Sequence, residues 1–266
     1  MVFSGPGEQG KQPIFNVPTS VVAVLGLLIA IHVVRSLLPI DMDNWLVGAT
    51  AFIPIRYSDP EAIGLPGQPY ASYTSWITHM LIHGSALHLM FNAAWLLAFG
   101  GAVANRVGST RFLLFATMCG FAGAAAYLYV RWGLFAPMVG ASGAVMGLMG
   151  ASLRFLYPAL DNGEGSLRHI HRNLRTVPLM TLRQSLTDIR VILTTVMLIL
   201  LNLAGAFGMG PGTSEGTIAW EAHAGGYLAG FLLFGLFDAA THNNIAPPSA
   251  LIEDEDEHIS SKPTLH

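Results

Sequence analysis

Ser142 stands in the run Gly140-Ala141-Ser142-Gly143-Ala144-Val145-Met146-Gly147, a hydroxyl among glycines at the mouth of a strongly apolar segment. A serine hydroxyl becomes a useful nucleophile when a neighbouring base takes its proton, and histidine is the usual base. Two other stretches carry candidate partners. One is His79-Met80-Leu81-Ile82-His83-Gly84-Ser85-Ala86-Leu87-His88-Leu89-Met90-Phe91-Asn92, the other Glu221-Ala222-His223-Ala224-Gly225-Gly226. Ser142 with His223 as its base is the chemistry of acyl transfer. His88 and Asn92 lie four apart, on one helical face, and could donate to the oxyanion of an acyl-transfer intermediate together with the Ser142 backbone N–H. His83 precedes His88 by five, about 140° away round an ideal helix, so it is expected to order the helix entrance. No aspartate accompanies these residues, and Glu221 points elsewhere on its helix, so the expected arrangement is a Ser142–His223 dyad. His32, Asn105 and Asn202 find no partner in this reading and are taken as structural or interfacial.

The glycines are read by the same logic. Gly143 and Gly147 form the small-xxx-small spacing of tight helix contact in lipid, and Gly226 with Gly230 gives the His223 segment a facing small surface. Gly140 is expected to leave room for substrate backbone beside Ser142.

The elements that must position these groups follow from composition. Of 266 residues, 52% are hydrophobic and 11% charged, against about 25% charged in soluble domains. This is an integral membrane protein. The net charge of −3 comes with no basic stripe, so no nucleic-acid partner is expected, and Cys119 is alone, which excludes an intramolecular disulfide. The N-terminal stretch does not read as a cleaved signal peptide.

Six apolar segments are expected to span the bilayer: about 21–38, 87–103, 112–130, 142–155, 192–207 and 222–237. The connection 39–77 is long and partly apolar but too broken to cross, and is expected to lie in the membrane interface. Arg106 and Arg111 flank one turn, and Arg154, Arg168, Arg172, Arg175, Arg183 and Arg190 cluster around the connection between spans four and five. By the positive-inside rule both loops, and both termini, are expected to be cytoplasmic; a bacterial inner (plasma) membrane is the expected location. Ser142, His88, Asn92 and His223 then share one depth near the outer face. Ionisable groups at membrane depth are costly and mark functional sites.

Singly, each of these residues has a plain reading: Ser142 as a small packing residue, His223 as a satisfied interhelical histidine, Asn92 as interhelical glue. Their common depth favours catalysis. A metalloprotease would use the His79-x3-His83 spacing, but Met80 stands where its general-base glutamate belongs, so no metal ligand is assigned and no cofactor is expected. A transporter would place its polar site near the midplane.

The ordered set His83-x4-His88-x3-Asn92, Gly140-Ala141-Ser142-Gly143 and Ala222-His223-Ala224-Gly225-Gly226 resembles the rhomboid family of intramembrane serine proteases. The resemblance implies an all-α, six-helix membrane bundle with a long interfacial loop between helices 1 and 2. It also implies cleavage of a substrate's transmembrane helix by a serine endopeptidase mechanism, with transmembrane proteins and the lipid bilayer as partners and lateral entry beside span five. The alternative is a catalytically inactive rhomboid-like protein that binds transmembrane segments. The domain is read as 18–240, flanked by a flexible tail at 1–17 and a polar acidic tail at 241–266. Two departures stand out. Thr74 and Ser75 occupy positions where family members carry Trp-Arg, and Met146 replaces an aromatic residue that packs on the catalytic histidine, a role a thioether can also fill.

Overall fold

The computed structural model describes residues 17–59, 62, 64–162, 174–209 and 219–238. The tail expected at 1–17, apart from Val17, the tail expected from 241, and most of the glycine-rich loop at 208–216 lie outside the described residues.

Among the described residues the regular structure is helical, with one isolated β-bridge between Phe52 and Met138. The all-α expectation holds. Pro18 precedes α1 (Thr19–Ser36), and Pro39 precedes α2 (Ile40–Thr50), each where proline's fixed φ and missing N–H suit a helix start. The connection expected to be merely interfacial is a folded unit: after α2 it makes a 3₁₀ turn at Pro54–Tyr57 and then α3 (Ala71–Thr78), prolonged by another at His79–Leu81. Ser85 caps α4 (Ala86–Trp95) by accepting the His88 backbone N–H at 3.2 Å. The expected second span runs on through a π-helical turn, Leu96–Gly100, into α5 (Gly101–Val107). Gly108, at φ +82°, reverses the chain into α6 (Ser109–Val130), a conformation that glycine takes without strain.

Ser142 itself opens α7 (Ser142–Asn162). Pro158 inside it cannot donate to Arg154, four residues back. The freed Arg154 carbonyl accepts the Met180 N–H at 2.9 Å instead, which ties the connection between spans four and five to the helix. A capping box of Thr181 and Gln184 then starts α8 (Leu182–Thr187), and Asp188 caps α9 (Ile189–Ala206). The chain closes with α10 (Trp220–Leu233) and a 3₁₀ turn at Phe234–Leu236.

Among the described residues five helical segments are long and apolar enough to cross a membrane: Thr19–Ser36, Ala86–Val107, Ser109–Val130, Ser142–Asp161 and Ile189–Ala206. They match the first five expected spans. The expected sixth is the 14-residue α10, about 21 Å long at 1.5 Å per residue, short of a 30 Å hydrocarbon core by itself. It packs chiefly between α7 and α6.

Glycine makes that packing possible. A methyl group at Gly226 would run into the Gly143 carbonyl, and one at Gly230 into the Gly147 carbonyl. On the other side, one at Gly225 would meet the Ala122 carbonyl at 2.8 Å. Gly147 is crowded from α6 as well, by Cys119, so it serves two contacts rather than the single one expected.

The arginines at the end of the bundle opposite Ser142 are partly structural. Arg106 bonds Asp238 at 2.6 Å and the Leu174 and Val177 carbonyls, while Arg154 donates to the Phe231 and Met180 carbonyls. Both are buried. Their charge is matched by carbonyl dipoles and one carboxylate, as burial of a guanidinium requires.

Gly230→Ala should therefore lower stability by about 1–3 kcal/mol or more, the usual cost of overpacking. Gly26→Ala, on α1 with nothing within 4 Å of the added methyl, should be neutral or mildly stabilising. Thermal unfolding in detergent measures both, and equal behaviour of the two variants would contradict this packing.

Candidate active site

Ser142 and His223 meet across the α7–α10 contact, with His223 Nε2 2.7 Å from Ser142 Oγ. The small residues set this distance: Gly143, directly after Ser142, faces the Ala222 carbonyl directly before His223, and Gly226 and Gly230, on the face that His223 begins, lie against the Gly143 and Gly147 carbonyls. Both residues are half-buried.

The segment before Ser142 is clamped by the folded connection between α1 and α4. Phe52 and Met138 exchange two backbone bonds of 2.9 Å, Ile55 N–H donates to the Leu134 carbonyl, and Gly140 N–H donates to the His79 carbonyl at 2.8 Å. Phe52 is fixed in turn by Tyr57, Trp76 and His79, whose rings pack on it. Arg56 is buried and donates to the Gly48 and Pro66 carbonyls. Ser75, at a departure from the family pattern, is buried and accepts from His79 Nδ1 through its carbonyl at 2.7 Å. Its neighbour Trp76 stacks on Phe121 of α6.

Gly140 requires a correction. It was expected to leave space for substrate backbone, but the imidazole of His88 fills that space. A methyl group there would lie 2.7 Å from His88 Cε1 and Nε2, and φ at Gly140 is +120°. The same point lies 3.8 Å from Ser142 Oγ. The Nε2 edge of His88 and the Ser142 hydroxyl thus border one small volume. Asn92 is buried one turn along, its Nδ2 donating to the His88 carbonyl at 3.0 Å. That bond uses one of two amide hydrogens and leaves the other to give.

His83 lies where expected, at the entrance to α4. It is buried, its carbonyl accepts from Arg35 Nη1 at 2.8 Å, and its ring meets the edge of His88 with centroids 5.1 Å apart. Met146 packs against the cluster of Leu153, Val191, Tyr227 and Phe231. Glu221 is directed away from the dyad, accepting from Arg131 at 2.6 Å.

The expectation for Asn202 is also corrected. This residue of α9 accepts from His223 Nδ1 through Oδ1 at 2.8 Å, and its Nδ2 donates to the Trp220 carbonyl at 3.1 Å. An amide within an apolar helix was the available signal, since such a group must find a partner. Composition alone does not say which one.

Residues 70–238 match the model of the Rhomboid domain. The chain belongs to the rhomboid family. It is similar to rhomboid protease GluP of Bacillus subtilis (strain 168), 30% identical over 156 residues, which are 58% of this chain and 24% of that protein. It is also similar to rhomboid protease GlpG of Enterobacter sp. (strain 638), 35% identical over 92 residues, 34% of this chain and 32% of the relative. The GlpG of Serratia proteamaculans (strain 568) is 33% identical over 81 residues, 30% and 28% of the two chains. The chain thus spans about a quarter to a third of the length of the curated relatives it matches. The matched rhomboid region contains every side chain of the site, and the protein is a multi-pass membrane protein.

The two histidines before α4 give this rhomboid a pH-dependent stability. Burial pushes His79 down to about 4 and, with a smaller push from His88, His32 and Arg35, pushes His83 down to about 3. The unfolded chain protonates both near pH 6.5 while the folded chain stays neutral. Stability is therefore complete above about pH 6.5 and falls as the pH drops toward those lower values. Acidification from about pH 7 to about pH 5 should cost up to about 2 kcal/mol per histidine. Thermal unfolding across that range measures the loss, and His83→Gln should reduce its slope. A Tm independent of pH there would contradict it.

Proposed function

We propose that this chain is an intramembrane serine endopeptidase that hydrolyses a peptide bond in or near the transmembrane helix of a membrane-protein substrate. The observation that carries the reading is the 2.7 Å contact between Ser142 Oγ and His223 Nε2. Family membership and the printed names of the relatives, all rhomboid proteases, support it. The protease domain is 18–240, with both termini on the cytoplasmic side of a bacterial inner membrane.

In the first step Ser142 Oγ attacks the scissile carbonyl carbon as His223 Nε2 takes the hydroxyl proton. The carbonyl oxygen becomes an oxyanion in the volume bordered by His88. His88 Nε2–H, the spare Asn92 N–H and the Ser142 backbone N–H are its donors. Collapse of the intermediate breaks the C–N bond, and His223 returns its proton to the departing amine. Water then adds to the acyl-enzyme with His223 again as base, and the serine leaves as the alcohol.

Hydrolysis needs water, and a helical substrate hides its amides in internal hydrogen bonds. Placement of the site near one end of the bundle and the half-buried state of Ser142 and His223 meet the first need. Local unwinding of the substrate meets the second, so substrates with small or helix-breaking residues near the cleaved bond are preferred.

Proteolysis of a single-span substrate in liposomes tests the reading. Ser142→Ala and His223→Ala should abolish cleavage, and His88→Ala and Asn92→Ala should each lower turnover by roughly 10- to 1000-fold. Retained cleavage in either dyad variant would overturn it.

A further inference from the structure

A serine–histidine pair works as nucleophile and base only when the imidazole carries its single neutral-state proton on the far nitrogen. The nitrogen facing the serine must present a lone pair. An imidazole by itself populates both tautomers, so something has to choose. The choice is made from α9.

Little of α9 is buried: of its residues only Val191 and Gly205 are fully so. Its polar side chains instead bond to the bundle. Thr194 Oγ1 meets Tyr157 Oη of α7 at 2.5 Å, Thr195 Oγ1 meets Tyr227 Oη of α10 at 2.6 Å, and Asn202 reaches both His223 and the Trp220 carbonyl. These contacts fix the rotation of α9 and the depth at which Asn202 enters.

The Trp220 carbonyl settles which end of the amide faces the histidine. A carbonyl can only accept, so the group 3.1 Å from it is the NH₂ of Asn202, and Oδ1 is the atom left for His223 Nδ1, 2.8 Å away. An amide oxygen can only accept in turn, so Nδ1 carries the proton. Nε2 is thereby left with its lone pair directed at the Ser142 hydroxyl. The four residues form one chain of consistent polarity from the Trp220 carbonyl through Asn202 and His223 to Ser142.

We propose that Asn202 is a positioning residue that holds His223 in the Nδ1–H tautomer and in its orientation toward Ser142. The proposal rests on the dyad reading and adds a third member contributed by α9. Asn202 does not touch the substrate in this scheme; it acts through the imidazole. Being neutral, it orients the ring without stabilising the imidazolium as a carboxylate would.

The groups that bear on His223 come from four helices. His88 of α4 acts on it electrostatically, Ser142 belongs to α7 and Asn202 to α9. On its own helix stands Glu221, which is paired with Arg131 after α6. A carboxylate in place of the Asn202 amide would add a negative charge against Nδ1 and favour the protonated ring.

The test compares wild type, Asn202→Ala, Asn202→Asp and Ser142→Ala in detergent on one single-span substrate, with Tm measured for each. Asn202→Ala should lower kcat by about 10-fold or more, within the span of general-base catalysis, with KM within about twofold. Asn202→Asp should fold, cleave, and move the acidic limb of the kcat/KM profile up by about one pH unit or more. A residue that merely seats α9 would change KM or Tm and leave the pH limb in place. Wild-type kcat in Asn202→Ala, or an unmoved limb in Asn202→Asp, would overturn the proposal while an inactive Ser142→Ala left the dyad standing. Cleavage by Ser142→Ala would bring down the dyad reading and the proposal with it.

Discussion

The close approach of α7 and α10 is the constraint on which the site depends. Lipid supplies no hydrophobic force between helices, so their contact rests on van der Waals packing and on backbones that can come near. At Gly226 and Gly230 the partner is a carbonyl of α7, and a single methyl group would force the helices apart. A displacement of an ångström would break a 2.7 Å bond between Ser142 and His223. The residues that fix the geometry of the chemistry are therefore ones with no chemistry of their own.

A second requirement is that irregular backbone beside the site be satisfied. At membrane depth such backbone is tolerated only where protein or water covers it. The segment leading into Ser142 meets this through Phe52, Ile55 and His79, all from the connection between α1 and α4. That connection is a brace for the loop before Ser142, and its aromatic cluster around Phe52 stiffens the brace. Buried guanidiniums do similar work elsewhere. Arg56 gathers carbonyls within the connection, and Arg106 and Arg154 gather those at the opposite end of the bundle.

Much of this was legible in the chain because membranes restrict what a sequence can mean. Long apolar runs announced the five helices able to cross among the described residues, and Ser142, His88, Asn92 and His223 stood out as polar groups that lipid would penalise. What stayed hidden depended on contacts between distant segments. Gly140 read as open space because nothing local reveals that the His88 ring fills it. Asn202 read as structural because an amide on an apolar helix does not name its partner, and the dyad looked complete without it. The broken apolarity of residues 39–77 signalled a non-spanning connection but not the α2 and α3 helices that make it a brace. The arginines used to orient the loops include Arg106 and Arg154, which are buried in the bundle and hold carbonyls.

The central claim is that Ser142 is a nucleophile made reactive by His223, and covalent labelling addresses it without any assumption about substrate. The purified protein in detergent would be treated with a fluorophosphonate and the modified peptide mapped by mass spectrometry. The account predicts a single stoichiometric adduct on Ser142, lost in Ser142→Ala and strongly slowed in His223→Ala. An adduct elsewhere, or equal labelling of Ser142 with and without His223, would contradict it.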